Sequence, residues 1–295
     1  AMGMWLRNRE LFNQKRRLQW AFGKYLPRDE LERLVVQQGL PAVRDYHNSV
    51  CMVTDAQGYS RLSETLSPAD LGDLMQSYYH AIIPPIRQSG GIISDVAGDG
   101  VIALWLHLDR ENAWQSLQPV VAQINQNIAR FNAEHPGREL PTRIGIHSGE
   151  IVLGHFGAMD HHEFRAMGDI INTTSRLEGA NKQLGTEVLI SESCALSSDD
   201  SLRYLGRFKF VGKQQPLGVF TVKNVRDPVL LKQYRLAIMK LEAGQIEGAL
   251  KLFSTVKRYY ADDGPTGFAV QKINALIEDH DLELLAKGII PFSSK

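Results

Sequence analysis

Cysteine is scarce in this chain: Cys51 and Cys194 are the only two, far apart and in no Cys-x-x-Cys pair. That gives neither a disulfide framework nor a zinc-ligand spacing, and it fits a reducing, cytosolic setting. No charge sign dominates, with 33 Lys+Arg against 33 Asp+Glu. Nucleic-acid binding through a globally basic surface is therefore disfavoured. No apolar run reaches the 18 or so residues that a spanning helix needs, and no signal-peptide pattern is visible. What is present is an ordinary globular composition, 43% apolar and 22% charged, over 295 residues. Such a length suits a core domain plus an appendage.

Ala1-Met2-Gly3 reads as a cloning remnant. Residues 4–44 form a basic, amphipathic lead-in. Leu18, Ala21, Phe22 and Tyr25 share helical spacing among Arg16, Arg17 and Lys24. One reading is a helix packed on the domain. The other is a signalling helix beside a membrane, where clustered Lys/Arg marks the cytoplasmic side. Trp5 and Trp20 read as helix packing.

From residue 45 the pattern mixes strands and helices. Ser49 to Thr54 is a short buried strand ending at Asp55. A helical stretch over 59–89 is interrupted by Pro84-Pro85 and stopped by Gly90-Gly91. Strands over 92–96 and 101–106 flank the turn Ala97-Gly98-Asp99-Gly100. A helix is expected over 109–134, and a second strand pair, 143–147 and 150–156, around Ser148-Gly149. Residues 170–182 are helical, with later strands at 188–190, 203–210 and 217–222. Frequent hairpins without a strict strand–helix–strand repeat indicate an α+β domain. Three apolar helical stripes over 228–285 indicate a C-terminal α-helical hairpin extension, structural in role. His161-His162 sits between Asp160 and Glu163 and reads as a solvated polar loop ahead of a metal site.

Asp55 and Asp99 are the first chemical candidates. Two carboxylates at adjacent strand ends suit hard cations in phosphoryl transfer. Either alone is better explained as a structural turn or strand-end residue. Asn172 and Arg176 lie four apart on one helix and so face one way. Arg neutralises phosphoryl charge and Asn orients a ribose, although for the pair alone a solvated helix face is the better explanation.

The segments VTDAQGYSRLSE (53–64), GGIISDVAGDGVIALW (90–105), RIGIHSGEIVLGHFG (143–157) and FRAMGDIINTTSRLEGANK (164–182) together resemble the class III adenylate/guanylate cyclase catalytic domain, in its order and spacing. The resemblance spans about residues 45–224, leaving 225–295 as the extension. It implies a ferredoxin-like βαββαβ core and a head-to-tail homodimer with two composite clefts. It implies Mg²⁺ or Mn²⁺, two per site, on Asp55, Asp99 and the Ala56 carbonyl, with Asn172 and Arg176 acting from the other chain. The implied reaction turns a nucleoside triphosphate, ATP or GTP, into a cyclic nucleotide and pyrophosphate. The stretch 16–34 resembles the segment following the membrane spans of receptor-type bacterial cyclases. That implies a membrane-anchored sensor region upstream, with this domain on the cytoplasmic side of the inner membrane.

Three positions depart from the family. Asp95 stands where adenylate cyclases place a Lys, and Arg165 where they place Asp or Thr. Asp95 and Arg165 either pair with each other or read the base, a geometry that suits guanine and does not exclude adenine or uracil. Val211 occupies the position of a phosphate-binding Lys. Lys209 and Lys213, two residues away on the same strand face by period-two alternation, are the candidate substitutes. A catalytically silent, dimerising regulatory module is the competing expectation. His147 is read as a packing residue.

Overall fold

The computed structural model describes residues 45–106, 108–109, 112–158, 161–195, 199–223 and 227–292. In chain order these form β1 (Asp45–Ala56), α1 (Tyr59–Thr65), α2 (Pro68–Gln88), β2 (Ile92–Ala97), β3 (Gly100–Trp105), α3 (Ala113–Glu134), β4 (Thr142–Ala158), β5 (His161–Met167), α4 (Asp169–Leu184), β6 (Val188–Ser191), β7 (Leu202–Phe210) and β8 (Leu217–Val222). The C-terminal part adds α5 (Pro228–Glu242), α6 (Ile246–Tyr259), α7 (Gly264–Glu278), α8 (Glu283–Ala286) and β9 (Ile289–Phe292).

The sheet runs β2-β3-β1-β4-β6-β8-β7-β9, with β5 paired to β4. Its first four strands have the ferredoxin-like order, and the fold is α+β. One apolar core joins that sheet face to α2 and α3, with Tyr78, Ile82, Ile86, Trp114 and Ile124 sealed from solvent. On the other face a second core joins α4 to α5, α6, α7 and β9 through Leu177, Phe208, Tyr234, Phe253 and Ile273. In the C-terminal extension the helices α5, α6 and α7 thus cover the chain's own sheet, and its last strand extends that sheet in parallel with β7. No helix among the described residues is long and apolar enough to cross a membrane. The lead-in to residue 44, with Trp5 and Trp20, lies outside the described residues.

Three local expectations are corrected. Pro84 and Pro85 do not break α2. Pro85 has no N–H for the Ala81 carbonyl one turn back, and the Asn127 side-chain amide of α3 donates to that carbonyl instead, at 2.9 Å. Ser148-Gly149 is no turn, because β4 runs unbroken for 17 residues. Ser148 hydrogen-bonds Ser193, and a Cβ on Gly149 would lie 3.2 Å from Ile170 Cβ, so both small residues serve a close approach. The segment with His161-His162 is strand β5, the true hairpin partner of β4.

Candidate active site

Asp55 is the last but one residue of β1, and Asp99 lies in the turn between β2 and β3. Register sets Thr54 opposite Val101. The Val101 N–H donates to Thr54 Oγ1 at 3.2 Å, pinning the turn beside the end of β1. From α2 the Tyr79 hydroxyl donates to the Gly98 carbonyl. The two carboxyl groups come within hydrogen-bonding reach. Burial pushes the Asp55 carboxyl up to about 6, the neighbouring Asp99 charge adds to this, and Arg143 opposes it. A half-buried pair of like charges is short of positive charge, which is the donor set a hard divalent cation fits. Among the described residues no three His, Cys, Asp or Glu side chains cluster to hold an ion. Further oxygens would come from backbone, such as the Ala56 carbonyl, from water or from substrate phosphates.

Arg143, the second residue of β4, lies directly opposite Asp55. Its Nη2 lies 3.3 Å from Asp55 Oδ2, and its Nε lies 3.7 Å from Glu178 Oε1 on α4. Glu178 is pushed up to about 7, first by burial and then by the Asp55 charge. Gly145 explains the closeness of α4. A Cβ there would stand 2.5 Å from the Thr174 carbonyl oxygen and 2.6 Å from the Glu178 nitrogen. Neither Arg143 nor Glu178 was singled out in the sequence. The one available signal is that both sit inside the quoted motifs, and only the β1–β4 register sets Arg143 against Asp55.

Asn172 and Arg176 lie on the outward stripe of α4. With Ser175, Gly179, Gln183, Phe210, Val211 and Phe292 they line a cavity of about 380 Å³. Gly212 has φ +74°, and a Cβ there would meet Arg176 Nη2 at 3.0 Å, so the turn after β7 closes over the guanidinium. Arg176 Nη1 is buried without a hydrogen-bond partner. Neither Asp55 nor Asp99 lines this cavity. One chain brings Asn172 to Arg176 and Asp55 to Asp99, but not the two pairs together.

The remaining candidates separate. β7 ends at Phe210, so Val211 to Lys213 is a turn and strand alternation does not govern it. Lys213 reaches the first turn of α4 and pairs with Asp169, which it holds below the ordinary carboxylate range. Lys209 turns back to the Gln214 carbonyl. Asp95 is exposed and accepts from the Val96 N–H at 2.8 Å. Arg165 pairs with Gly154 on β4, whereas Asp95 is level with Gly145 through Ile102 and Val53. Nine residues of strand (154 against 145) are on the order of 30 Å. That is their backbone separation counted along the strands. The Arg165 side chain lies outside the described part. His147 Nδ1 bonds Ser191 Oγ at 2.8 Å between β4 and β6, a packing role.

Residues 42–222 match the family described as "Adenylate and Guanylate cyclase catalytic domain". The chain is 30% identical over 222 residues to adenylate cyclase 1 of Rhizobium meliloti, covering 72% of this chain and 33% of that protein. It is 27% identical over 228 residues to the adenylate cyclase of Anabaena cylindrica, covering 72% and 44%. It thus spans a third to under a half of these relatives. A bacterial light-regulated adenylyl cyclase superposes with a TM-score of 0.59 at 19% identity, covering 78% of this chain and 68% of the other, which supports the fold.

Proposed function

The chain belongs to the class III adenylate and guanylate cyclase catalytic-domain family, and from that premise we propose that it converts ATP or GTP to the 3′,5′-cyclic nucleotide and pyrophosphate at a homodimer interface. The observation that carries the reading is the Asp55–Asp99 carboxyl pair, held together at the end of β1. Asp55, Asp99 and the Ala56 carbonyl would hold two Mg²⁺ or Mn²⁺ ions. When bound, these lower the pKa of the ribose 3′-hydroxyl and neutralise phosphate charge.

The chain's own groups do the rest. Asn172 and Arg176 of a second copy reach the cleft, since a single chain keeps them apart from the aspartates. Arg176 donates to the α-phosphate as charge builds during attack by the 3′-oxygen, and Asn172 orients the ribose. The orphaned Arg176 Nη1 supports this role, as a donor still lacking its acceptor. Asp95 and Arg165 face the base. Lys213, beside the N-terminus of α4, is the better placed substitute for the phosphate-binding Lys. Residues 45–224 act as the catalytic unit, with 225–295 bracing it.

Incubation with ATP, GTP, CTP and UTP plus Mn²⁺, with products identified by mass spectrometry, tests the reading. One dominant cyclic product that disappears in Asp55→Ala is expected. A second reading, a silent dimer that binds nucleotide, is favoured by Val211 and by the Asp169 pairing of Lys213. Nucleotide binding without product selects it. A membrane-anchored sensor region, with this domain at the cytoplasmic side of the inner membrane, belongs to the same proposal. It rests on the basic stretch 16–34, and membrane fractionation of the native protein tests it.

A further inference from the structure

We propose that Glu178 is a positioning residue for Arg143: it receives the guanidinium that Asp55 releases on binding a divalent cation, and so ties cation loading at β1 to α4, the helix of Asn172 and Arg176. The inference rests on the metal reading of Asp55 and Asp99.

Arg143 lies between two acceptors on different elements. It holds Asp55 at 3.3 Å, while its Nε faces Glu178 Oε1 at 3.7 Å. Both atoms of the second pair are buried and neither makes a hydrogen bond. Closing that gap by less than about 1 Å makes a charge-assisted bond and removes two orphans at once. What holds it open is the competing pull of Asp55. A cation on Asp55 repels the guanidinium and weakens that pull, so Arg143 moves toward Glu178. Glu178 stays near the guanidinium because α4 packs closely on β4 here, its backbone nitrogen lying against Gly145.

Without this second acceptor Arg143 stays on Asp55 and competes with the cation. The tie also reaches further. Glu178 is two residues from Arg176 on one rigid helix. In a two-fold dimer, Arg176 serves the other cleft, so loading one cleft bears on the helix that completes its mate.

The test is an Mn²⁺ titration of the whole chain followed by electron paramagnetic resonance, with 3′-deoxy-ATP or 3′-deoxy-GTP present, neither of which can be cyclised. Glu178→Gln is close to isosteric, and circular dichroism checks its fold. It is expected to weaken Mn²⁺ binding about tenfold. Glu178→Asp, which keeps the charge, restores most of the affinity. In an Arg143→Ala background Glu178→Gln has little further effect, because the competitor is already gone. Mn²⁺ slows amide exchange along α4 in wild type and not in Glu178→Gln.

Unchanged Mn²⁺ affinity in Glu178→Gln, with loss in Asp55→Asn, overturns this proposal alone. An effect of Glu178→Gln that is undiminished without Arg143 does the same. Unchanged affinity in Asp55→Asn as well overturns the metal reading and this proposal with it.

Discussion

Arg203 of β7 and Asp263, the N-cap of α7, meet in a two-pronged ion pair, with Nη1 to Oδ1 at 2.6 Å and Nη2 to Oδ2 at 2.8 Å. Both side chains are buried, and the guanidinium stacks 4.0 Å from the Tyr234 ring centroid of α5. Asp263 also accepts from the Thr266 N–H and hydroxyl. One pair therefore joins the sheet to two helices of the C-terminal extension. Removing one partner strands a buried charge, at a cost of about 3–5 kcal/mol. Asp263→Asn should lower the melting temperature and raise amide exchange across α5 and α7 before it does so in β1 or α2. Equal protection loss across both halves of the molecule contradicts this.

The same carboxylate sets an acid limit. Burial alone would raise its pKa, but the Arg203 bonds and charge and the Thr266 bonds outweigh burial and hold it below the ordinary value of 3.8. A carboxyl depressed in the folded state contributes stability that is present above its unfolded pKa and lost as pH falls through the folded one. Unfolding free energy should therefore decline below about pH 4 more steeply in wild type than in Asp263→Asn. Urea melts from pH 7 to 2 measure the difference, and parallel curves refute it.

Asp55 carries the opposite sign. Burial and mutual repulsion raise Asp55 to about 6, so its ionisation costs folding free energy as pH rises through that value. Without divalent cations, Asp99→Asn removes the repulsive part and should raise stability at pH 8, by about 1 kcal/mol. It should also lower cyclic-nucleotide formation by about a thousandfold, from the loss of a phosphoryl-transfer cation ligand. Stability and activity that fall together indicate a merely structural aspartate.

Gly145→Ala is a steric test of the α4 contact. The added methyl would lie 2.5 Å from the Thr174 carbonyl oxygen. Both sides of the clash are backbone, so the helix must move. Overpacking of this kind costs about 1–3 kcal/mol or more. Because the displaced helix carries Asn172 and Arg176, kcat should fall by a larger factor than KM rises. A melting temperature within a degree of wild type would show that the helix yields freely.

The central part of this fold is legible in the sequence because its signals are local. The apolar run ending at Asp55, the Gly-Asp-Gly turn and the i, i+4 pair on α4 each span only a few residues. The misreadings share one cause, a partner distant in sequence. Ser148-Gly149 has turn composition, yet Ser193 and Ile170 account for it within a strand. Pro85 lacks a donor that Asn127 supplies from another helix. β9 is four residues long with a proline, and only its pairing with β7 makes it a strand. Arg143 gains a role solely from register with Asp55.

Val211 is where sequence and structure most directly suggest a gain of function. It is 57% exposed in the turn after β7, two residues beyond Lys209. A substitution on such a surface changes folding stability by about 0.5 kcal/mol or less. The residue also lines the cavity that holds Asn172 and Arg176. A lysine there adds a cation to the wall beside Arg176, where Lys213 is held by Asp169 and Lys209 by the Gln214 carbonyl. A charge-assisted bond to a phosphate adds about 1.4 kcal/mol over the present side chain, or about tenfold. Val211→Lys should therefore lower KM for the triphosphate about tenfold with kcat little changed, and the gain should shrink in high salt. An unchanged KM in steady-state assays would mean that the triphosphate does not pass this turn, and that Lys213 is no substitute either.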